Sequence, residues 1–247
     1  MKSILDVRYG KTEQCLDIHL PECDEFPVMV YFHGGGIESG DKANTKNFLH
    51  FLPQNGMAVV SVNYRMYPNA KYPDFLEDAA EAVAWVFNNM SNYGKIKGVF
   101  VGGSSAGGYI SQMLCFDNRW LGAHGIDPVS VTGYIHDAGQ PTCHFNVLRE
   151  RGINKNRVII DDSAPLFHVG VAENYSPMLV IVSDNDMKNR YEQTMLLIST
   201  LDHFGHKDKV TLKIMNGTHC AYCNQLDESG ISVLGKIVVD YIKSVLN

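Results

Sequence analysis

Two serines lie inside the stretch V-F-V-G-G-S-S-A-G-G-Y, which runs from Val99 to Tyr109. The apolar residues at its start predict a buried strand, and the pattern from Tyr109 onwards predicts a helix. Four glycines surround the serines although glycine is costly in regular structure, so the backbone here needs a turn or close approach that side chains would block. Residues Gly103–Gly107 fit G-x-S-x-G between a strand and a helix, a pattern typical of a nucleophilic serine raised on a tight turn. The candidate nucleophile is therefore Ser105.

A phosphate-binding loop is the alternative interpretation of these glycines. It is disfavoured because no G-K-[ST] follows and no G-x-G-x-x-G fits this junction of strand and helix.

A second glycine cluster, H-G-G-G from His33 to Gly36, follows another apolar run. Acyl transfer passes through a tetrahedral oxyanion, which backbone N–H groups stabilise when they point at the developing charge. Glycines allow the backbone to come that close to a substrate. The cluster predicts an oxyanion loop, and a flexible loop after a strand is the alternative.

A general base is suggested by N-G-T-H, Asn216 to His219, after the last predicted strand. The unperturbed pKa of histidine, about 6.5, suits proton transfer near neutral pH. His136 also follows a strand and is the main rival to His219. His203 and His206 lie on or beside a predicted helix and are expected at the surface.

The loop V-S-D-N-D-M offers two aspartates, Asp184 and Asp186, at the end of the penultimate predicted strand. A buried carboxylate beside a catalytic histidine fixes its tautomer and stabilises the imidazolium. One of the two aspartates is expected in this role, and the other as a cap of the next helix.

These residues are positioned by strands that alternate with helices, a pattern that predicts an α/β fold with a mostly parallel sheet covered on both faces. Ligands bind such sheets at the carboxyl ends of the strands, where the candidate residues fall. The long segment 139–175 interrupts the alternation and is predicted to be a small cap-like insertion in a single domain, 1–247. The predicted strands are Cys15–Leu20, Val28–Phe32, Ala58–Val62, Val99–Val101, Val131–Ile135, Met178–Val182 and Lys209–Ile214, and the predicted helices are Phe75–Met90, Tyr109–Leu114, Arg190–Phe204 and Ile231–Leu246.

Composition narrows the class of protein. The chain has 247 residues and a net charge of −6, which disfavours a nucleic-acid partner. No apolar run reaches the roughly 20 residues that span a bilayer, and M-K-S-I-L-D-V-R-Y-G lacks the apolar run of a signal peptide, so we expect a cytoplasmic protein without a membrane partner.

The six scattered cysteines are expected as free thiols. Cys220 and Cys223 form a C-x-x-C, but without a second ligand pair no metal site is predicted.

Taken together, H-G-G-G, G-S-S-A-G, the aspartate loop and the histidine loop occur in the chain order Ser, Asp, His. The chain resembles the α/β-hydrolase superfamily from Val28 to the terminal helix. It is most similar to the small H-G-G-G carboxylesterases and lipases, of the feruloyl, acetyl-xylan and hormone-sensitive-lipase-like groups. Asn63 stands where the family often has aspartate, and Ile37 where an aromatic residue is frequent.

The resemblance implies Ser105 as nucleophile, His219 as base and Asp186 as acid, because Asp186 closes the turn in the family position. It implies the backbone amides of Gly34, Gly35 and Ala106 as oxyanion donors, with no metal and no cofactor.

The implied reaction is hydrolysis of carboxylic esters with short acyl groups, including acetylated or feruloylated carbohydrates, by an acyl-enzyme mechanism. An arylformamidase or a small serine peptidase on the same three residues is the alternative. A non-catalytic ligand-binding protein of the same fold is a further one. A small-molecule or carbohydrate ester is the expected partner, and a homodimer is compatible with the edge strands.

Overall fold

The computed structural model describes residues 2–12 and 14–247. In that part of the chain eight strands form one sheet, and eight α-helices surround it. The strands are β1 Lys2–Arg8, β2 Cys15–Leu20, β3 Glu25–Phe32, β4 Ala58–Val62, β5 Lys95–Ser104, β6 Gly133–Asp137, β7 Met178–Ser183 and β8 Val210–Met215. The helices are α1 Lys46–Gln54, α2 Asp74–Asn89, α3 Ala106–Phe116, α4 Asn118–Gly122, α5 Phe145–Glu150, α6 Pro165–His168, α7 Arg190–His203 and α8 Val233–Leu246.

The strand order across the sheet is β1-β2-β4-β3-β5-β6-β7-β8. The strands from β4 to β8 in this order are parallel, and β1 and β2 add an antiparallel edge. In the centre of the sheet, Val30 pairs with Val60 of β4 on one side and with Val101 of β5 on the other. The carboxyl ends of β3, β5, β6, β7 and β8 therefore meet at one edge of the sheet.

Strand β3 shows how the sequence builds a two-sided core. Its side chains alternate between the faces of the sheet, as those of any strand do. Val28, Val30 and Phe32 pack in a cluster with residues of α2, α3 and α7, whereas Met29 and Tyr31 pack in a second cluster with α1 and α8. Because both faces are covered, the strand is apolar and buried from Phe26 to Phe32.

The predicted α/β fold with a mostly parallel sheet is confirmed. Each predicted strand and helix lies within two residues of an observed element or inside it, although β3 and β5 begin earlier than predicted. Strand β1 and the helices α1 and α4 were not predicted. Strand β1 is largely exposed and lacks the buried alternation that marks a strand, and α1 carries Pro53, a residue that normally indicates the end of a helix.

The segment 139–175 contains two short helices, α5 and α6. The Asn146 side-chain amide donates to the Gly36 carbonyl at 2.8 Å, next to the end of β3. The Tyr109 hydroxyl, in α3, donates to the Ser163 carbonyl at 2.7 Å. These bonds hold the segment beside the H-G-G-G loop and against α3.

Within residues 2–12 and 14–247, no helix combines the length and the apolar character that crossing a bilayer requires.

Candidate active site

Ser105 lies on a strained turn between β5 and α3. Its φ of 56° is unusual for a residue with a side chain. The Ser105 amide donates to the Asp137 carbonyl at 2.8 Å, and its carbonyl accepts the Tyr109 amide at 3.0 Å. The turn is thereby tied to β6 and to the first turn of α3, so that the serine hydroxyl stands at the edge of the sheet.

Glycines on either side of Ser105 let the turn pack against β3. A Cβ atom at Gly107 would lie 1.9 Å from the Phe32 carbonyl oxygen, and one at Gly103 would lie 2.4 Å from the same oxygen. Both atoms would overlap with backbone, which cannot move as a flexible side chain can. The observed geometry therefore explains why the motif requires glycine at these two positions.

We expect Gly107→Ala to lower the free energy of unfolding by about 3 kcal/mol or more, because the added methyl group overpacks against backbone. Gly122→Ala is the matched control, since its nearest neighbour would be the Asn118 side chain at 3.2 Å. Thermal unfolding followed by circular dichroism measures both. Equal midpoints for the two variants would contradict the close approach of Gly107 to β3.

The loops after β7 and β8 bring an aspartate and a histidine to Ser105. The His219 Nε2 atom lies 2.8 Å from the Ser105 Oγ atom, and the His219 Nδ1 atom lies 2.5 Å from the Asp186 Oδ1 atom. The Asp186 side chain is fully buried, and the His219 side chain is 20% exposed. Asp186 also accepts the Met187 amide at 2.6 Å. The three residues form one continuous chain of hydrogen bonds.

Asp184, the alternative acid, lies outside this chain of bonds. It is exposed and accepts the Gly217 amide at 2.9 Å, so it fixes the backbone that leads to His219. The expectation that this aspartate caps the next helix is wrong: α7 begins after Asn189, and among the described residues the Asp184 side chain bonds to Gly217 alone.

The rival His136 is a core residue. It is fully buried, it is hydrogen-bonded to the Ser111 hydroxyl at 2.9 Å, and burial lowers its pKa to about 3. His203 is exposed as predicted. The prediction for His206 is wrong, because its ring is buried edge-on against Tyr175 at 4.7 Å.

The residues predicted as oxyanion donors border Ser105 or the pocket that it lines. A Cβ atom at Gly34 would lie 3.3 Å from the Ser105 Cβ atom, so this backbone touches the serine. Gly35 has a φ of +117°, and a Cβ atom there would lie 2.0 Å from the Ser39 carbonyl oxygen. Ala106 is the first residue of α3, and the first amides of a helix have no partner inside it. Gly34 and Gly35 line a pocket of about 460 Å³ together with Ser105 and His219.

His33 stabilises the H-G-G-G loop through its ring and its carbonyl, a role that was not predicted from the sequence. Its ring is buried, stacks on Tyr64 at 4.5 Å and is hydrogen-bonded through Nδ1 to the Gly34 carbonyl at 2.7 Å. The Tyr64 hydroxyl donates to the His33 carbonyl at 2.8 Å. Burial lowers the pKa of His33, so the ring is neutral at pH 7 and donates from Nδ1. Both bonds fix the backbone direction at Gly34.

Asn63, one of the two departures from the family pattern, has a structural explanation. Its amide nitrogen donates to the Asp41 carboxylate at 2.8 Å, and its amide oxygen accepts the Lys42 backbone N–H at 2.6 Å. A side chain that both donates and accepts is needed here, and an aspartate would place two carboxylates together.

A buried carboxylate lies beneath the turn. Asp137, at the end of β6, accepts hydrogen bonds from the hydroxyls of Ser104 and Tyr222 and from the Cys223 thiol at 3.4 Å. The Tyr31 hydroxyl donates to Ser104 at 3.0 Å. Burial raises the pKa of Asp137 despite these donors. Since Tyr222 and Cys223 follow His219, this network ties the histidine loop to the strand that carries Ser105.

Within the part of the chain that the structure describes, the residues that could hold a metal ion are Asp137, Cys220 and Cys223, because one ligand atom from each lies within 4.8 Å of the others. The Cys223 thiol is hydrogen-bonded to the Asp137 carboxylate, so these ligand atoms already have partners within the protein. A hydrogen bond between the Cys220 and Cys223 side chains lowers the pKa of Cys220 and raises that of Cys223. All six cysteines are free thiols.

The pKa of His219 is raised to about 9. Burial alone would lower it, but the hydrogen bond to Asp186 and the interaction with Cys220 outweigh that effect. Burial likewise opposes ionisation of Asp186, yet the bond from His219 holds the pKa of this carboxyl below its ordinary value. The pair is therefore most stable as imidazolium and carboxylate.

We expect activity to rise with pH through a midpoint near 9, because the base must be neutral to accept a proton. The raised pKa also means that protonated His219 contributes stability that is fully present below its unfolded pKa of about 6.5 and is lost as pH rises through about 9. The lowered pKa of Asp186 sets the acid limit of the ion pair, which is lost as this carboxylate is protonated. In Cys220→Ser the midpoint should move down, since one of the groups that raise the pKa is removed. A pH profile of kcat/KM measures this, with the exposed Cys23→Ser as control. Identical midpoints in all three proteins would contradict the influence of Cys220.

A parallel sheet in this strand order, with the serine after β5, the aspartate after β7 and the histidine after β8, defines the α/β-hydrolase fold. The chain has this fold. Among solved structures, a truncated carbohydrate esterase from gut microbiota superposes with a TM-score of 0.80 at 19% identity, covering all of this chain and 96% of that one. The butyrate-bound esterase Est2 of Thermogutta terrifontis gives 0.76 at 20% identity, covering 99% and 93%.

Within this fold, residues 16–126 match the family model BD-FAE. Esterase LipI of Mycobacterium tuberculosis is 37% identical over 105 residues, which cover 41% of this chain and 32% of LipI. The chain spans about a third or less of the length of the curated relatives that it matches. Residues 16–126, which match the family model, include the H-G-G-G loop and Ser105.

Proposed function

We propose that this chain is a serine esterase that cleaves carboxylic esters through an acyl-enzyme. The observation that carries the proposal is the unbroken contact from Ser105 through His219 to Asp186, at 2.8 and 2.5 Å. A serine hydroxyl is a weak nucleophile unless a base accepts its proton, and here the base is in hydrogen-bonding distance. The similarity to LipI and to esterase structures supports the same activity.

In the proposed reaction, His219 Nε2 takes the proton of the Ser105 hydroxyl as Oγ attacks the ester carbonyl. The carbonyl oxygen becomes an oxyanion, which the amides of Gly34, Gly35 and Ala106 stabilise. His219 then gives its proton to the departing alcohol, and the acyl group stays on Ser105. Water attacks this acyl-enzyme with the same base, which releases the acid and restores the serine.

Asp186 keeps its negative charge throughout. It holds the His219 ring with Nδ1 protonated and Nε2 directed at Ser105, and it stabilises the imidazolium in both steps.

The expected substrates carry short acyl groups on a carbohydrate alcohol. The pocket of about 460 Å³ around Ser105 is walled by glycine backbone, Phe145 and Met187. The segment 139–175, which lies beside it, is proposed as a cap-like insertion. The carbohydrate esterase and the butyrate complex among the structural relatives support this substrate class.

Hydrolysis of 4-nitrophenyl acetate, butyrate and octanoate by the purified protein tests the proposal. We expect turnover of all three, fastest for the short chains. A fluorophosphonate probe should add one label, and peptide mapping should place it on Ser105 and not on Ser104. Aryl formamides and a peptide amide belong in the same panel. If only these amides are cleaved, Ser105, His219 and Asp186 belong to an amide-cleaving enzyme. If no substrate is cleaved and no label is added, the proposal of a serine hydrolase is rejected.

A further inference from the structure

A second cavity, of about 420 Å³, adjoins the catalytic pocket. Phe145 and Met187 line both spaces, so they form a shared wall between the cavity and Ser105. One side of the cavity comes from the insertion, at residues 155–158, and the other from the loop after β7 and the start of α7. The cavity and the pocket around Ser105 are therefore neighbouring spaces.

The cavity is positively charged. Lys155, Arg157, Lys188 and Arg190 line it, and no acidic residue does. Over residues 2–12 and 14–247, no salt bridge involves any of these four cations, and the nearby Asp161 is instead paired with Arg151 at 2.9 Å. The whole chain carries a net charge of −6. This concentration of unpaired cations is thus opposite in sign to the protein around it.

Arg190 is the strongest sign of a built site. It is only 4% exposed, and its guanidinium donates to the Ala138 carbonyl and to the Gln140 amide oxygen at 3.2 Å, both neutral acceptors. The Asp186 carboxylate acts on Arg190 through its charge, but its hydrogen bond is with His219. A buried cation that forms no salt bridge is costly, and an anion in the cavity would offset that cost.

We propose that this cavity binds an anionic group of the ester substrate, a carboxylate, phosphate or sulfate, next to the scissile bond. The inference rests on the esterase function proposed above and adds the substrate's charge to it. Arg157 and Arg190 offer the planar donors that suit such groups, and the lysines add attraction. Asn156, Asn189 and Gln193 also line the cavity and provide partners for hydroxyl groups, as an acidic sugar would present.

Matched ester pairs test the proposal and decide which side of the ester is charged. On the acyl side, 4-nitrophenyl hydrogen glutarate is compared with 4-nitrophenyl valerate. On the alcohol side, an acetylated methyl glucuronoside is compared with the acetylated methyl glucoside. We expect, in one of the two arms, a KM about tenfold lower for the anionic member at low salt, with the difference shrinking as salt screens the charges.

The variant Lys155→Gln/Arg157→Gln/Lys188→Gln should raise KM about tenfold for the anionic ester and leave the neutral ester within about twofold. The control is Lys2→Gln/Lys97→Gln/Lys243→Gln, at three lysines that do not line the cavity. It changes the net charge by the same amount and so controls for long-range attraction. No preference for the anionic ester in either arm, or equal effects of the two triple variants, would overturn the proposal.

Binding without turnover separates this proposal from the esterase function. Calorimetry with Ser105→Ala measures the affinity for the unhydrolysed anionic and neutral esters. Tighter binding of the anionic ester that is lost in the cavity variant supports the anion site even if no ester is cleaved. Normal cleavage of neutral esters with equal binding of both would reject the anion site alone.

Discussion

Replacement of Ser105 by alanine is expected to lower kcat/KM for 4-nitrophenyl acetate by about 10⁴- to 10⁶-fold, since the attacking oxygen is lost. The fold should be unaffected. Among the described residues the Ser105 hydroxyl is hydrogen-bonded to His219 alone, and alanine carries the same Cβ atom at a φ of 56°. Steady-state kinetics and a thermal midpoint measure the two effects separately.

Two further variants complete this test. His219→Ala should be nearly as inactive, and the double variant no worse than either, because the residues act as a unit. Ser104→Ala is the matched control, as Ser104 is buried and bonded to Asp137 instead. Its effect on the rate should be at least about 100-fold smaller than that of Ser105→Ala. A double variant whose loss equals the product of the single losses, or an inactive Ser104→Ala that folds normally, would contradict the assignment.

Substitution of Asp186 by asparagine is the second large effect, a fall of about 10⁴-fold in kcat. An amide at this position bonds to either tautomer of His219, so Nε2 no longer faces Ser105 reliably as an acceptor. The charge that stabilises the imidazolium also disappears, and the apparent pKa of His219 should fall below that of the wild type. A pH profile of kcat/KM for the variant measures both changes.

Asp184→Asn tests which of the two aspartates in the loop after β7 is the catalytic acid. Its amide oxygen can still accept the Gly217 N–H, so activity should stay within about threefold of the wild type. If this variant were the inactive one and Asp186→Asn retained activity, the acid would have to be reassigned.

The sequence predicted the position of Ser105, Asp186 and His219 because each follows a strand that its apolar residues make recognisable. Parallel strands end at a common edge, so residues 114 apart in the chain come within 2.8 Å. The choice of Asp186 over Asp184 came from resemblance and not from pattern, since both are acidic residues in one loop. The structure separates them by burial.

The contacts that hold the catalytic loops in place, those of Asp137 and of His33, were not predictable in the same way. Asp137 ends a strand, as many acidic residues do, and its partners Ser104, Tyr222 and Cys223 are 33, 85 and 86 residues away from it in sequence. Likewise, the stacking of His33 on Tyr64 depends on a contact between two loops. Periodicity describes which face a residue takes, not which residue from another element meets it there.

The sheet order also makes activity a late event in folding. The serine, aspartate and histidine follow the fifth, seventh and eighth strands, and the contacts between them close loops of 33 and 114 residues. Closing such loops costs chain entropy that local helices do not, so these contacts form slowly relative to secondary structure. Recovery of ester hydrolysis during refolding is accordingly expected to report assembly of the sheet from β3 to β8, whereas helical circular dichroism is expected to report earlier stages.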